Sequence, residues 1–162
     1  MAIPLHLWLK DDGGADILGS STVAGREGSI EVLSFTHGLH SPTASNTGKL
    51  SGGRIHRPLT IEKEIDRSSP YLYRAVATGM TLQQAVIRWY RINEAGREVE
   101  YFTTTMKNVK VAAVSPVVPN IKNRDKQTIN HNETVDFRYE EIAWSYVDGN
   151  ICFKDRWSES WF

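Results

Sequence analysis

Apolar and polar residues alternate with a period of two along most of the chain, and a helical period is convincing at only one place. Ile3 to Lys10 predicts a first strand, with turn chemistry in Asp11-Asp12-Gly13-Gly14. Ser29 to Leu39 predicts a second strand with Ile30, Val32, Ser34 and Thr36 on one face and Glu31, Leu33 and Phe35 on the other. His40 to Gly53 is rich in Ser, Thr, Asn, Gly and Pro and predicts a long loop. Connections beyond about 12 residues in a compact domain are usually functional or mobile.

The helix is predicted at about 69–78. Ser69 suits the N-cap, Pro70 suits the first helical position where no backbone donor is needed, and Gly79 supplies a left-handed stop. Leu72, Ala75 and Val76 form its apolar stripe. A helix this short does not hold itself together in water, so the stripe must dock on a sheet. Further on, Ala85, Ile87 and Trp89 share a face, and Asn93-Glu94-Ala95-Gly96 makes a hairpin turn. Glu98, Glu100 and Thr104 read as a wet face, and Val109 and Val111 as a core face. Val135, Phe137 and Tyr139 hold one parity while Ile142, Trp144 and Tyr146 hold the other, which calls for a one-residue shift near Glu140 and Glu141. The pattern predicts a mainly β fold flanked by one short helix, and the length suits a single domain over 1–162.

Composition narrows the function classes. At 162 residues, 40% hydrophobic and 23% charged, the chain is ordinary for a folded domain. Lysine plus arginine equal aspartate plus glutamate at 19 each, so no net basic field collects nucleic-acid phosphates or anionic lipid. Cys152 is the single cysteine and reads as a partly buried, inert thiol. No cationic leader precedes the first strand, and no run approaches the roughly 18 apolar residues of a membrane-spanning helix. Synthesis in the cytoplasm without membrane insertion is the expectation.

Candidate chemistry does not survive close reading. Asp11, Asp12 and Asp16 miss the register of a calcium loop. Thr47-Gly48-Lys49-Leu50 lacks the first glycine of a phosphate loop, which falls at Thr43, and carries Leu50 where Ser or Thr is needed. His37 and His40, three apart in an extended segment, point to opposite faces, and His6, His56 and His131 are isolated in sequence. Glu140 and Glu141 are explained by a bulge before a glycosidase pair. No Gly-x-Ser-x-Gly elbow or His-Glu-x-x-His helix occurs. No catalytic residue, metal or cofactor is expected, and a structural or binding protein is favoured over an enzyme.

Specific strings add a resemblance. Ile-Pro-Leu-His-Leu-Trp-Leu-Lys-Asp-Asp-Gly-Gly-Ala-Asp-Ile at 3 to 17, Arg-Glu-Gly-Ser-Ile-Glu-Val at 26 to 32, the strand and helix at 54 to 79, Val-Glu-Tyr-Phe at 99 to 102, Lys-Asn-Val-Lys-Val at 107 to 111, and Phe-Arg-Tyr-Glu-Glu-Ile-Ala-Trp-Ser-Tyr at 137 to 146 follow one another in an order that resembles the haemolysin-coregulated protein (Hcp) family, the tube subunit of bacterial type VI secretion. The resemblance is weakest at 38 to 53, 117 to 132 and after Gly149.

The resemblance implies two packed antiparallel sheets forming a flattened β-barrel with the helix at its side, assembled as a homo-hexameric ring that stacks into a tube. It implies export without a signal peptide, effector proteins carried in the lumen, a VgrG-type spike protein at one end and a contractile sheath outside. It also implies that the second strand helps line the channel, making Thr36 the candidate lumen and effector contact. Thr43, Ala44, Ser45, Asn46, Thr47, Gly48, Lys49 and Leu50 are the candidate inter-subunit or inter-ring loop. The alternatives are a tail-tube protein of another phage-like contractile apparatus and a small secreted hydrolase or toxin. A C-terminal toxin domain, carried by some members, is not expected in a chain that stops at Phe162.

Overall fold

The computed structural model describes residues 3–50 and 52–157. Trp161, in the tail after Gly149, lies outside these residues. The strands are β1 (Leu5–Lys10), β2 (Asp16–Ile17), β3 (Ile30–Val32), β4 (Ser34–Thr36), β5 (Leu39–His40), β6 (Ile55–His56), β7 (Leu59–Glu64), β8 (Thr81–Ile92), β9 (Glu98–Val117), β10 (Asn132–Tyr146) and β11 (Ile151–Arg156). Among the described residues the one α-helix, α1 (Ser69–Thr78), lies between β7 and β8, and a short 3-10 turn spans Arg124–Lys126.

The fold is mainly β with two antiparallel sheets, as expected. One is nine-stranded with the path β2-β1-β8-β9-β10-β7-β4, and the other is the β5–β6 ribbon. The large sheet curls around the core without closing into an uninterrupted ladder. Its margins are bridged by the segment 30–36, which lies as β3 against β1 and then as β4 against β7.

That change of partner corrects the single face expected for the second strand. Ile30 and Val32 are buried, but Ser34 and Thr36 are exposed, while Phe35 turns inward onto Trp89 with ring centroids 4.9 Å apart. The parity reverses at Leu33, whose backbone N–H donates to Glu62 at 2.7 Å. Upstream, Gly19 is needed for close approach: a Cβ there would sit 2.4 Å from the Ser29 carbonyl oxygen.

In β10, Tyr139 and Ile142 are both buried, so the parity change exists where the pattern placed it. The ladder with β9 is nevertheless unshifted there, pairing Tyr139 with Val109 and Glu141 with Lys107; the register shift falls between Asp136 and Phe137. Opposite Glu140, Asn108 is left-handed at φ 51° and donates its side-chain amide to the Glu140 carboxylate at 2.6 Å. Local backbone distortion in β9 does the work expected of a bulge in β10. Thr104, expected on a wet face, is buried and accepts from Trp89 Nε1 at 3.2 Å.

Helix α1 starts one position earlier than its cap residues suggested. Ser68 is the N-cap, without a side-chain capping bond, and Ser69 is the first helical residue. The Ser69 hydroxyl serves the sheet instead, donating to Glu133 Oε1 at 2.6 Å. Leu72 and Ala75 enter the core, whereas Val76, assigned to the same stripe, is 39% exposed. Gly79 stops the helix at φ 68°, as expected.

Candidate functional site

The segment expected as a long loop is a hairpin. β5 and β6 pair Leu39 with His56 and His40 with Ile55, and the far end closes through a bridge between Thr43 and Leu50. Ala44 N–H donates to Lys49 at 2.7 Å and Gly48 N–H donates to Ala44 at 2.8 Å, so the tip carries its own backbone bonds. Thr43, Ser45, Asn46, Thr47, Gly48, Lys49 and Leu50 are exposed and Ala44 is half-buried. Leu50 stands out, an apolar side chain 68% exposed at the end of a polar tip. Thr36, also exposed, pairs with Thr60 on β7 and lies just before the hairpin's first leg. Thr36 and the tip therefore belong to one continuous stretch of chain.

The hairpin base holds an arrangement that sequence spacing did not suggest. The Tyr139 hydroxyl, on a fully buried ring, lies 2.8 Å from His37 Nε2 and 2.6 Å from His56 Nδ1. His56 Nε2 lies 2.9 Å from Asp155 Oδ2 on β11. Arg54 completes the chain by donating to both Asp155 oxygens, at 2.8 and 2.7 Å. Trp157 stacks on His56 with centroids 5.6 Å apart and meets Tyr139 at 5.0 Å. Burial, with the nearby His56 charge, lowers His37 to about 4. Burial pushes the Tyr139 phenol well above its ordinary range, and the Arg54 hydrogen bonds hold Asp155 down at about 2.

His37 and His56 are thus not isolated histidines but two members of one relay. Nineteen positions and a whole hairpin separate them in sequence, so only the residue types could have hinted at it. His40 and His131 are exposed, as the scattered reading had it. Cys152 is a correction of another kind: it is exposed on β11, with Ser145 donating to its sulfur at 3.3 Å.

Two other polar clusters resemble catalytic pairs and are wired differently. His6 Nδ1 lies 2.8 Å from Ser29 Oγ, but that hydroxyl donates to the Arg26 carbonyl at 2.7 Å. His6 must therefore be the donor to Ser29, the reverse of a base activating a nucleophile. Burial, reinforced by Arg26, lowers His6 to about 4. Lys63 is likewise enclosed, donating to Glu133 at 2.5 Å and Asp66 at 3.0 Å on the core side of α1. Among the described residues no group of three or more His, Cys, Asp or Glu is arranged to hold a metal ion. No described helix is long and apolar enough to cross a membrane.

The described residues thus form a curled antiparallel sheet with one docked helix and an exposed hairpin. The family model "Type VI secretion system effector, Hcp" matches residues 7–146, and the chain belongs to this Hcp family. It is similar to an Hcp1 variant from E. coli EAEC 042 pathovar at 57% identity and a TM-score of 0.88, covering 97% of this chain and 100% of that one. It is also similar to Hcp1 from Salmonella typhimurium at 29% identity and a TM-score of 0.70, covering 94% and 95%. A "Major exported protein" of Pseudomonas aeruginosa is 29% identical over 142 residues, 88% of this chain and 83% of its own. The chain is a tube and exported protein of type VI secretion.

Proposed function

We propose that this chain, as one domain over 1–162, assembles into hexameric rings that stack into the inner tube and carry effector proteins without catalysing a reaction. It is made in the cytoplasm and leaves the cell folded. Its proposed partners are further copies of itself, a VgrG-type spike protein, a contractile sheath and secreted effectors.

The observation that carries the reading is the 57% identity to an Hcp1 chain over 97% of this one. The open sheet supports it: β11 is paired only with β10 and presents Ile151 and Phe153 to solvent, 66% and 64% exposed. Unpaired edges bearing apolar side chains call for a partner, and a cyclic arrangement of identical subunits supplies one to every copy. Within that reading the tip Thr43 to Leu50 contacts neighbouring subunits or rings, and Thr36 faces the channel and its cargo.

Static light scattering at micromolar concentration is expected to give six times the subunit mass. A monomer mass alone defeats the ring. For the lumen, Thr36→Arg is expected to leave the hexamer intact and lower effector retention. Loss of the hexamer in that variant moves Thr36 to an interface or the core, and unchanged retention moves it outside the channel.

A further inference from the structure

We propose that Tyr139, held between His37 and His56, is the bolt of an acid-opened latch that fastens β11 and the base of the β5–β6 hairpin to β10. The inference is local to one subunit and independent of the tube reading.

The geometry makes one hydroxyl the meeting point of three chain segments. His37 precedes the first leg of the hairpin and His56 ends the second, so the two histidines bracket residues 38–55. Both reach the same Tyr139 oxygen, at 2.8 and 2.6 Å. Asp155 ties β11 to the far nitrogen of His56 at 2.9 Å, and Trp157 covers that ring. The relay therefore couples the hairpin base to β11, adding to the six-pair ladder that joins β11 to β10 and to the Leu39–His56 pairing of the hairpin.

Counting protons shows how acid acts. With both rings neutral, every bond is made: His37 Nε2–H donates to Tyr139, Tyr139 O–H donates to His56 Nδ1, and His56 Nε2–H donates to Asp155. One added proton is accommodated. If it resides on His56, the Tyr139 hydroxyl turns to donate to His37 Nε2, whose own proton moves to Nδ1. A second proton is not accommodated, because both rings then present N–H groups to one phenol oxygen. The hydroxyl proton has no acceptor left in the relay, and two cations share a buried site. Losing a bond there costs the desolvation of the orphaned group.

Burial and the charge on His56 oppose a second proton on His37. The hairpin's second leg brings Arg54 and Arg57, the latter against Gly38; β10 brings Arg138 over Trp157, with Glu140 and Glu141; β11 brings Lys154, Asp155 and Arg156. Cations outnumber carboxylates in this set. Asp155, held near 2 by Arg54, stays ionised across the acid window, so the proton goes to a ring. His37 is lowered to about 4 from 6.5. A depressed histidine contributes to closure above about pH 6.5 and loses that contribution as pH falls toward 4.

Amide hydrogen exchange on the full-length protein at pH 7.5 and 5.0, corrected for intrinsic exchange, tests this. Protection in 39–40, 55–56 and 151–157 is expected to fall by about 30-fold at pH 5.0, the ratio set by one histidine displaced from 6.5 to 4, while β8 and β9 keep theirs. His37→Gln, whose amide donates to Tyr139 at either pH, is expected to retain protection at pH 5.0. Tyr139→Phe, which has no hydroxyl to share, is expected to be equally open at both. Equal protection in the wild type, an undiminished fall in His37→Gln, or a fall that includes β8 and β9 overturns the latch.

Discussion

Lys63 and Glu133 face each other as direct partners across β7 and β10, both fully buried, with their charged groups 2.5 Å apart. Ser69 donates to the same Glu133 oxygen, and Asp66 accepts from Lys63, so the start of α1 is fixed to the sheet by one ionic cluster. Taking either charge away leaves the other uncompensated. Lys63→Met is expected to cost about 3–5 kcal/mol, and Lys63→Met with Glu133→Leu to recover much of it. Urea denaturation of the three proteins checks this, and a double variant less stable than Lys63→Met is the contrary result.

The two ends of the helical stripe separate next. Leu72 is fully buried and Val76 is not, so Leu72→Ala is expected to cost about 2–5 kcal/mol and Val76→Ala less than about 1 kcal/mol. Melting curves of both variants suffice. Equal losses restore the docked stripe that periodicity alone suggested.

How far the pattern reaches is visible in these residues. Strands β8, β9 and β10, the helix and its Gly79 stop are all legible, because each depends on local periodicity and turn chemistry. The N-cap was displaced by one residue because Ser68 and Ser69 are locally equivalent, and only Glu133, some sixty positions on, claims the Ser69 hydroxyl. The parity reversal at Leu33 is also non-local, since it arises where the strand leaves β1 for β7. The relay on Tyr139 was illegible for the same reason: its members come from four separate stretches, and spacing carries no information about them.

Acid stability follows from Asp155. Hydrogen bonds from Arg54 and His56 hold its carboxyl at about 2, below the ordinary 3.8. A depressed carboxylate stabilises the fold fully above its unfolded value and loses that contribution as pH falls from 3.8 through 2. Asp155→Asn is therefore expected to cost about 2 kcal/mol near neutrality, with the difference from wild type shrinking below pH 3.8. Denaturation at pH 7 and pH 2.5 measures both ends. A difference that stays constant would assign the loss to packing.

Gly19 offers a steric test. Its missing Cβ leaves room for the Ser29 carbonyl oxygen, which would otherwise lie at 2.4 Å, and the clashing group is backbone that cannot rotate aside. Gly19→Ala is expected to destabilise by about 1–3 kcal/mol, by the displacement it forces at the start of β3. An unchanged denaturation midpoint would mean that the 19–29 contact yields without cost.

The hairpin tip separates fold from assembly. Thr43 and Leu50 bridge each other, and the residues between them make their own backbone bonds, so the tip is closed before it reaches the β5–β6 ribbon. None of its side chains joins the core. Deleting Thr43 to Leu50 should therefore leave the melting temperature close to that of the wild type, because what is lost is surface structure. On the proposed stacking, Leu50, exposed at the tip's closing pair, would be buried against a neighbour, and the deletion would remove that contact. Rings without long tubes in negative-stain images, together with an unaltered melt, are the expected result. Full-length tubes from the deletion variant would make the tip a passive connector, and a lowered melt would make it part of the fold after all.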